Sequence, residues 1–342
     1  MGDDRQLLSR RRLLGAGVGL AAAALGGRAS GATARGAAES ATGAATDPFA
    51  GDPLLPSDRI GLQLYSVRDA ISSVGFAKVF HALAELGYKQ IEFAGYTQGT
   101  TPEITVKRLR SLLDANGLVG IGSHLSLLPT DDDAFEQALD DAATLGLPQI
   151  GVSLVVPGGG TTVAAWQQVA EACNHFGDLA RRRGIRFYLH NHFQEWASTA
   201  DDPTRRGEDV LLAETDLGLV WFELDIYWAY VGQWQSGQVL GFDPLLDYAI
   251  PYRNRYLLFH VKDGRKDASG GYADALDDIV DAGEGQIDFQ TFFDTLFAEA
   301  SGERYRHWYL WERDNASDHP RGSLAAAQVS YLYLRYGLRK GR

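Results

Sequence analysis

Cysteine is nearly absent from the chain. Its 342 residues include only Cys173, so an intrachain disulfide is excluded. Cys173 falls within the apolar pattern of a helix and reads as a buried, inert thiol. Long apolar runs are also scarce. The one at residues 13–25 falls short of the roughly 20 residues that span a bilayer, and no comparable run follows it. A basic surplus is missing too: 32 Lys and Arg stand against 44 Asp and Glu, a net charge of −12. A protein that clamps nucleic-acid phosphates presents a basic face. Here the basic residues are spread out, and the run Arg181-Arg182-Arg183 closes a helix, where it suits the dipole and solvent. Nucleic acid is therefore not the expected partner. No GxGxxG follows the first strand-like run, Gly158-Gly159-Gly160 lacks the Walker lysine, and no HExxH occurs.

The first 50 residues differ in composition from the rest, being rich in Ala, Gly and Ser. Arg10, Arg11 and Arg12 precede the short apolar run, and Ala32-Thr33-Ala34 supplies a small-residue cleavage site. This is the layout of a signal peptide over 1–34, and the consecutive arginines before Leu13-Leu14 resemble the twin-arginine type. It implies an exported protein with no stable membrane insertion once the signal is cleaved. Residues 35–56 read as a flexible linker with Pro53 and Pro56 near its end. What remains, 57–342, is long enough for one large domain.

In that domain strand-like runs alternate with helical patterns. The strand-like runs are 59–65, 88–93, 118–124, 149–155, 187–192, 219–225, 256–262 and 305–312. Helical patterns follow them at 75–87, 102–115, 131–145, 162–183, 209–215, 244–248, 289–300 and 324–338. Gly87, Gly117 and Gly146 stand where helices should stop. The strands are continuously apolar, as parallel strands covered on both faces should be. A βα unit repeated eight times points to a (β/α)8 TIM barrel, and the missing GxGxxG weighs against a doubly wound open sheet.

Such a barrel does its chemistry where the strands end. Strand one ends on Gln63 and Tyr65, strand two on Glu92, strand three on His124 and strand five on His190 and His192. Strand six ends on Glu223 and Asp225, strand seven on His260, Lys262 and Asp263, and strand eight on Glu312 and Asp314. Four of the eight histidines are thus at strand ends. One such histidine is an ordinary satisfied core group. A ring of His, Asp and Glu is costly to bury without a cation to offset it. Asp225, His260 and Glu312, with His190 or His192, make a mixed nitrogen and oxygen set suited to Mn, Co, Zn or Mg.

These strand ends resemble, in order, those of the sugar phosphate isomerase/epimerase family, the xylose isomerase-like barrels. The segments are IGLQLYSVRD, GYKQIEFAGY, GSHLSL, YLHNHFQEW, WFELDIYWAYVGQ, LFHVKDG, GEGQIDF and YLWERD, covering about residues 59–315. The resemblance implies one divalent metal ion on Asp225, His260, Glu312 and a ligand from strand five. In the well-known epimerases that ligand is a glutamate; here His190 takes its place, with His192 second in line. It also implies proton transfer beside a sugar carbonyl, with Glu312, His190 and His192 as acid/base candidates. Lys262 would stabilise the oxyanion, or else form an ion pair with Asp263 or Glu223. Gln63, Tyr65, Glu92, His124, Trp228 and Arg265 are the candidates for binding substrate. Tyr227 and Trp196 are further candidates for an apolar wall under a sugar ring. The substrate implied is a small carbohydrate, unphosphorylated if the enzyme is exported. Inosose dehydratase-like members are histidine-rich at strand five, which adds elimination as a second outcome. A non-catalytic sugar-binding barrel is a third, and a homodimer is the oligomer such families favour. Endonuclease relatives share the barrel, but acidic charge and export argue against that activity.

Overall fold

The computed structural model describes residues 51–96, 104–129, 131–153, 162–237, 242–268, 270–271 and 275–340. The expected leader, most of the expected linker, Pro102 and the glycines at 158–160 lie outside the described residues. Eight parallel strands close a barrel: β1 Ile60–Gln63, β2 Gln90–Phe93, β3 Val119–Leu125, β4 Gln149–Val152, β5 Arg186–His190, β6 Val220–Asp225, β7 Tyr256–Val261 and β8 Trp308–Trp311. Each pairs with its sequence neighbours, and β8 returns to β1 through Ile60 opposite Tyr309.

The helices start and stop for local reasons. α1 Arg68–Leu86 breaks at Gly75, whose φ of 80° is open to glycine, so the expected start at 75 marks a kink inside a longer helix. α2 Val106–Asn116 begins on Thr105, whose hydroxyl accepts from the Arg108 N–H. α3 Asp132–Leu145 and α4 Val163–Arg182 are capped by Asp131 and Thr162 in the same way. α5 Gly207–Glu214, α7 Phe242–Ala249, α8 Phe289–Leu296 and α9 Ser323–Leu332 fall on expected helical stretches. A helix not expected, α6 Ile226–Gln235, follows β6 directly. Its first eight residues are all buried, so it has no polar stripe, and the periodicity that reveals surface helices is missing.

The last residues of the expected linker pack on the barrel. Leu54 and Leu55 are buried, and the Leu54 N–H donates to the Leu338 carbonyl. The main core lies between barrel and helices and includes Cys173, which is buried and whose thiol pKa is pushed up by burial. Inside the barrel, Ile121, Tyr188, Leu258 and Leu310 form a separate apolar tier. Tyr188 fits there because β3 and β4 are thin beside it. A Cβ on Gly151 would fall 2.6 Å from the tyrosine ring, and one on Gly122 would fall 3.2 Å from its hydroxyl. Among the described residues no helix is long and apolar enough to cross a membrane.

Candidate metal centre

Side chains alternate along a strand, so every second residue faces the barrel axis. Above the apolar tier this brings Gln63, Glu92, His190, Glu223, Asp225, His260, Lys262 and Glu312 together at the C-terminal mouth. Each is buried, with Asp225 and His260 fully so. Two register shifts help to aim them. The pairing of β2 with β3 shifts between Ile91 and Glu92, and that of β6 with β7 between Phe222 and Glu223. Each irregularity thus falls just before an inward glutamate, where a bulge re-aims the side chain.

His260 is the hub. Its Nε2 lies 2.7 Å from Glu92 Oε2 and 2.9 Å from Glu223 Oε1, and its Nδ1 lies 2.9 Å from Glu312 Oε2. Glu223 also reaches His190, with Oε2 3.0 Å from Nδ1. Glu223 thus accepts from His190 Nδ1, while His260 Nε2 donates to Glu92 Oε2 with Glu223 Oε1 beside it. The remaining nitrogens, His190 Nε2 and His260 Nδ1, are left to bind a metal ion. Glu92 is itself fixed by the Tyr188 hydroxyl, which donates to Oε1.

Asp225 has two tasks. Its Oδ1 accepts the Trp228 N–H at 2.9 Å and caps α6, which leaves Oδ2 facing the site. Asn191 ties β5 to β6 by accepting the Asp225 N–H at 2.9 Å and donating to the Asp225 carbonyl at 3.2 Å. Lys262 Nζ lies 2.9 Å from Asp225 Oδ2 and 2.8 Å from both Glu312 Oε2 and Asp314 Oδ2. Of the two partners anticipated for Lys262, Asp263 is otherwise engaged. Adjacent in a strand, it points the other way, and its carboxylate accepts the N–H groups of Gly264, Gly283, Gly285 and Ile287.

The protonation states follow from this crowding. Burial and the neighbouring imidazoles hold His190 well below its ordinary pKa, and burial holds His192 at about 4. His260 goes the other way: burial opposes its charge, but Glu223, Glu312 and Glu92 raise its pKa well above the usual value. Burial raises Glu223, helped by Glu92. Glu312 is lowered despite burial by Lys262 and His260.

The residues fit a metal ion. Ligand atoms of His190, Asp225, His260 and Glu312 all lie within 4.8 Å of one another. Asp225 Oδ2, His260 Nδ1 and Glu312 Oε2 are buried without a well-formed hydrogen bond. Four buried carboxylates, Glu92, Glu223, Asp225 and Glu312, outnumber the two cationic groups His260 and Lys262, so a divalent cation would reduce the surplus negative charge. Lys262 holds two of the same oxygens and would have to share them.

The other candidates are spread out. His124 stacks on His190 with ring centroids 5.2 Å apart. Gln63 accepts the Tyr65 N–H, which fixes its amide so that Nε2 donates to His124 Nε2 at 2.7 Å. His192 lies beyond the strand end, 4.9 Å from the His190 ring and 5.8 Å from Trp228, with Nδ1 unpartnered. Its backbone N–H donates to Glu195, a buried acid raised to about 7 by burial. Trp228 also lies beneath the Lys262 ammonium at 5.1 Å. Tyr65 is partly exposed under Arg68. Arg265 is exposed near Glu284 and does not join the cluster. Trp196 packs on Tyr248, and the Tyr227 hydroxyl donates to the Ala275 carbonyl. The sequence reading assigned no role to Asn191 and gave Glu223 none beyond a possible ion pair. Glu223 could have been singled out, since it lies two residues before Asp225 on the same strand face. Asn191 carried no such signal.

Comparison with known proteins places this arrangement. Residues 80–334 match the model of the xylose isomerase-like TIM barrel family. An inosose dehydratase from Lactiplantibacillus plantarum is 25% identical over 186 residues, 51% of this chain and 54% of that protein. The chain spans about half the length of the curated relatives it matches. A sugar phosphate isomerase/epimerase from Parabacteroides distasonis is 23% identical with a TM-score of 0.60, over 80% of this chain and 92% of that one. The IOLI protein, solved with a bound zinc atom, is 12% identical with a TM-score of 0.57, over 81% of this chain and 97% of that one. At these identities the solved structures speak to the fold.

Proposed function

We propose, for a chain that belongs to the xylose isomerase-like TIM barrel family, that it is a divalent-metal-dependent enzyme moving a proton beside the carbonyl of a sugar or keto-sugar. The observation that carries this reading is the convergence of His190, Asp225, His260 and Glu312 at the C-terminal mouth. Zinc in the IOLI neighbour supports a metal of that kind. A divalent ion there would supply Lewis acidity toward a carbonyl oxygen and an adjacent hydroxyl.

The rest is the work of the chain's own groups. Glu223 holds the His190 ring and Glu92 the His260 ring. Lys262, bridging Asp225, Glu312 and Asp314, helps to hold Glu312 below the ordinary carboxylate range and places positive charge where an oxyanion develops. Glu312, ionised beside Lys262, takes the proton from carbon, while His192, neutral and with Nδ1 free, exchanges protons on the other side. His124 and Gln63 bind substrate hydroxyls, and Trp228 offers a ring face to the sugar. Export by the leader at 1–34 would present the enzyme with unphosphorylated sugars.

Isomerisation or epimerisation is the first reading. A specific observation favours dehydration as the second. The two flanks of the site are unlike, a carboxylate and an imidazole, which suits one base for the C–H proton and one acid for a leaving hydroxyl. The curated relatives named as inosose dehydratases agree with it. Incubating the metal-loaded protein with ketohexoses and inosose in deuterated water tests both. Deuterium at the carbon next to the carbonyl supports proton transfer, and a new ultraviolet-absorbing unsaturated ketone identifies elimination. Neither signal with any of these sugars would refute the reading.

A further inference from the structure

The opposite end of the same strands carries a second constellation. Stepping back by two residues along the inward face leads from Tyr188 to Arg186, from Glu223 to Trp221, from Leu310 to Trp308 and from Gly61 to Arg59. These residues, with Arg306 and His307, line a cavity at the N-terminal mouth of the barrel. Arg59 lies 4.9 Å above the Trp308 ring, and Arg186 lies 5.7 Å from that of Trp221.

Three guanidinium groups therefore face one cavity whose lining includes no carboxylate. None of Arg59, Arg186 and Arg306 forms an ion pair among the described residues. The arrangement is unusual for a chain of net charge −12. Some of its other arginines do find acids, as Arg183 finds Glu136 and Asp140 and Arg253 finds Glu303. Like charges held together without a counter-charge are what an anion offsets.

His307 forms a wall of the cavity. It is 3% exposed, and its Nδ1 lies 2.7 Å from the Tyr256 carbonyl. A carbonyl can only accept, so Nδ1 carries the proton. Burial holds the ring at about pH 4, hence neutral, and Nε2 is left as a bare, buried acceptor without a partner. An acceptor among arginines calls for a ligand that is anionic and also donates a hydrogen bond.

We propose that the N-terminal mouth is a second ligand site, for a small hydroxylated anion. Its phosphate or carboxylate engages Arg59, Arg186 and Arg306, and a hydroxyl donates to His307 Nε2. The site is independent of the metal centre at the other mouth.

Calorimetry on the full-length, metal-loaded protein at fixed ionic strength tests it, with glycerol 3-phosphate, glycerate and propyl phosphate as probes. Glycerol 3-phosphate or glycerate should bind once per chain, and the tighter of the two identifies the preferred anion. Propyl phosphate, which lacks the hydroxyls, should bind about tenfold more weakly than glycerol 3-phosphate. Arg306→Gln and Arg59→Gln should each weaken binding about tenfold, while Asp225→Asn leaves it unchanged. Arg306 is exposed, so its variant should fold even if Arg59→Gln does not. No binding by either hydroxylated probe overturns the proposal, as does binding that survives Arg306→Gln. Loss of binding in Asp225→Asn would place the anion at the other mouth, which also overturns it. Equal affinity for propyl phosphate would refute the role of His307.

Discussion

The two mouths of the barrel are made from the same strands and carry opposite chemistry. At the C-terminal mouth buried carboxylates outnumber cations, and His260 and Lys262 contact them at 2.7–2.9 Å. At the N-terminal mouth arginines face a cavity lined without carboxylates. β5 alone contributes Arg186 to one end, Tyr188 to the middle and His190 to the other. Strand alternation sets which residues face inward, not what they are. A barrel can therefore hold an electron-rich end that invites a cation and an electron-poor end that invites an anion, with an apolar tier between them.

The hardest test of that contrast is Asp225→Asn. It removes a ligand charge while the amide oxygen can still cap α6 at Trp228. Elemental analysis should find the divalent metal lost, and turnover should fall by about a thousandfold or more. Metal and activity retained together would end the comparison. Glu223→Gln comes next. An amide removes the charge that faces His260 and weakens the hold on His190 Nδ1, so metal affinity should fall about ten- to a hundredfold with the fold intact, measured by competition with a chelator.

A smaller effect concerns how the C-terminal end tolerates its acids. Glu195 lacks a cation and is neutralised by holding its proton, up to about pH 7 in the folded state. Folded protein then binds more protons than unfolded protein between the ordinary carboxylate pKa and about 7, so this contribution to stability is full below that window and lost as pH rises through it. Urea denaturation across pH 5–8 should show stability falling, with Glu195→Gln removing up to a few kcal/mol of the slope. An unchanged slope would mean that Glu195 is ionised. Burial raises Glu208 to about 8, so some slope will remain. The smallest effect sharpens the contrast from the other side. Arg306→Gln should leave metal content unchanged and stability within about 0.5 kcal/mol. A loss of metal would show that the two ends are not separate.

Much of this was legible in the sequence, and the gaps have physical causes. The eight strands were visible because parallel strands are apolar throughout, and the strand-end residues because a closed barrel converges them. α6 was hidden by the burial of its first eight residues. The roles of Glu92 and Glu223 were hidden by distance along the chain. Glu92 meets Tyr188 96 residues away and His260 168 residues away, and no local spacing encodes such pairs. Glu92, a candidate for contacting substrate, is fully buried and accepts from His260 Nε2. The His190 and His192 rings lie 4.9 Å apart, although the strand ends between them and only His190 is fixed by Glu223.

The apolar tier of Ile121, Tyr188, Leu258 and Leu310 has one further consequence. Of the four side chains only Tyr188 carries a polar atom, and its hydroxyl is committed to Glu92. Burial keeps that phenol from ionising, since its pKa stands well above the ordinary value. The tier thus works as an insulator along the barrel axis. On the proposed function, protons consumed or released at the C-terminal mouth would enter and leave by that same mouth, so solvent exchange and substrate exchange would share a single gate.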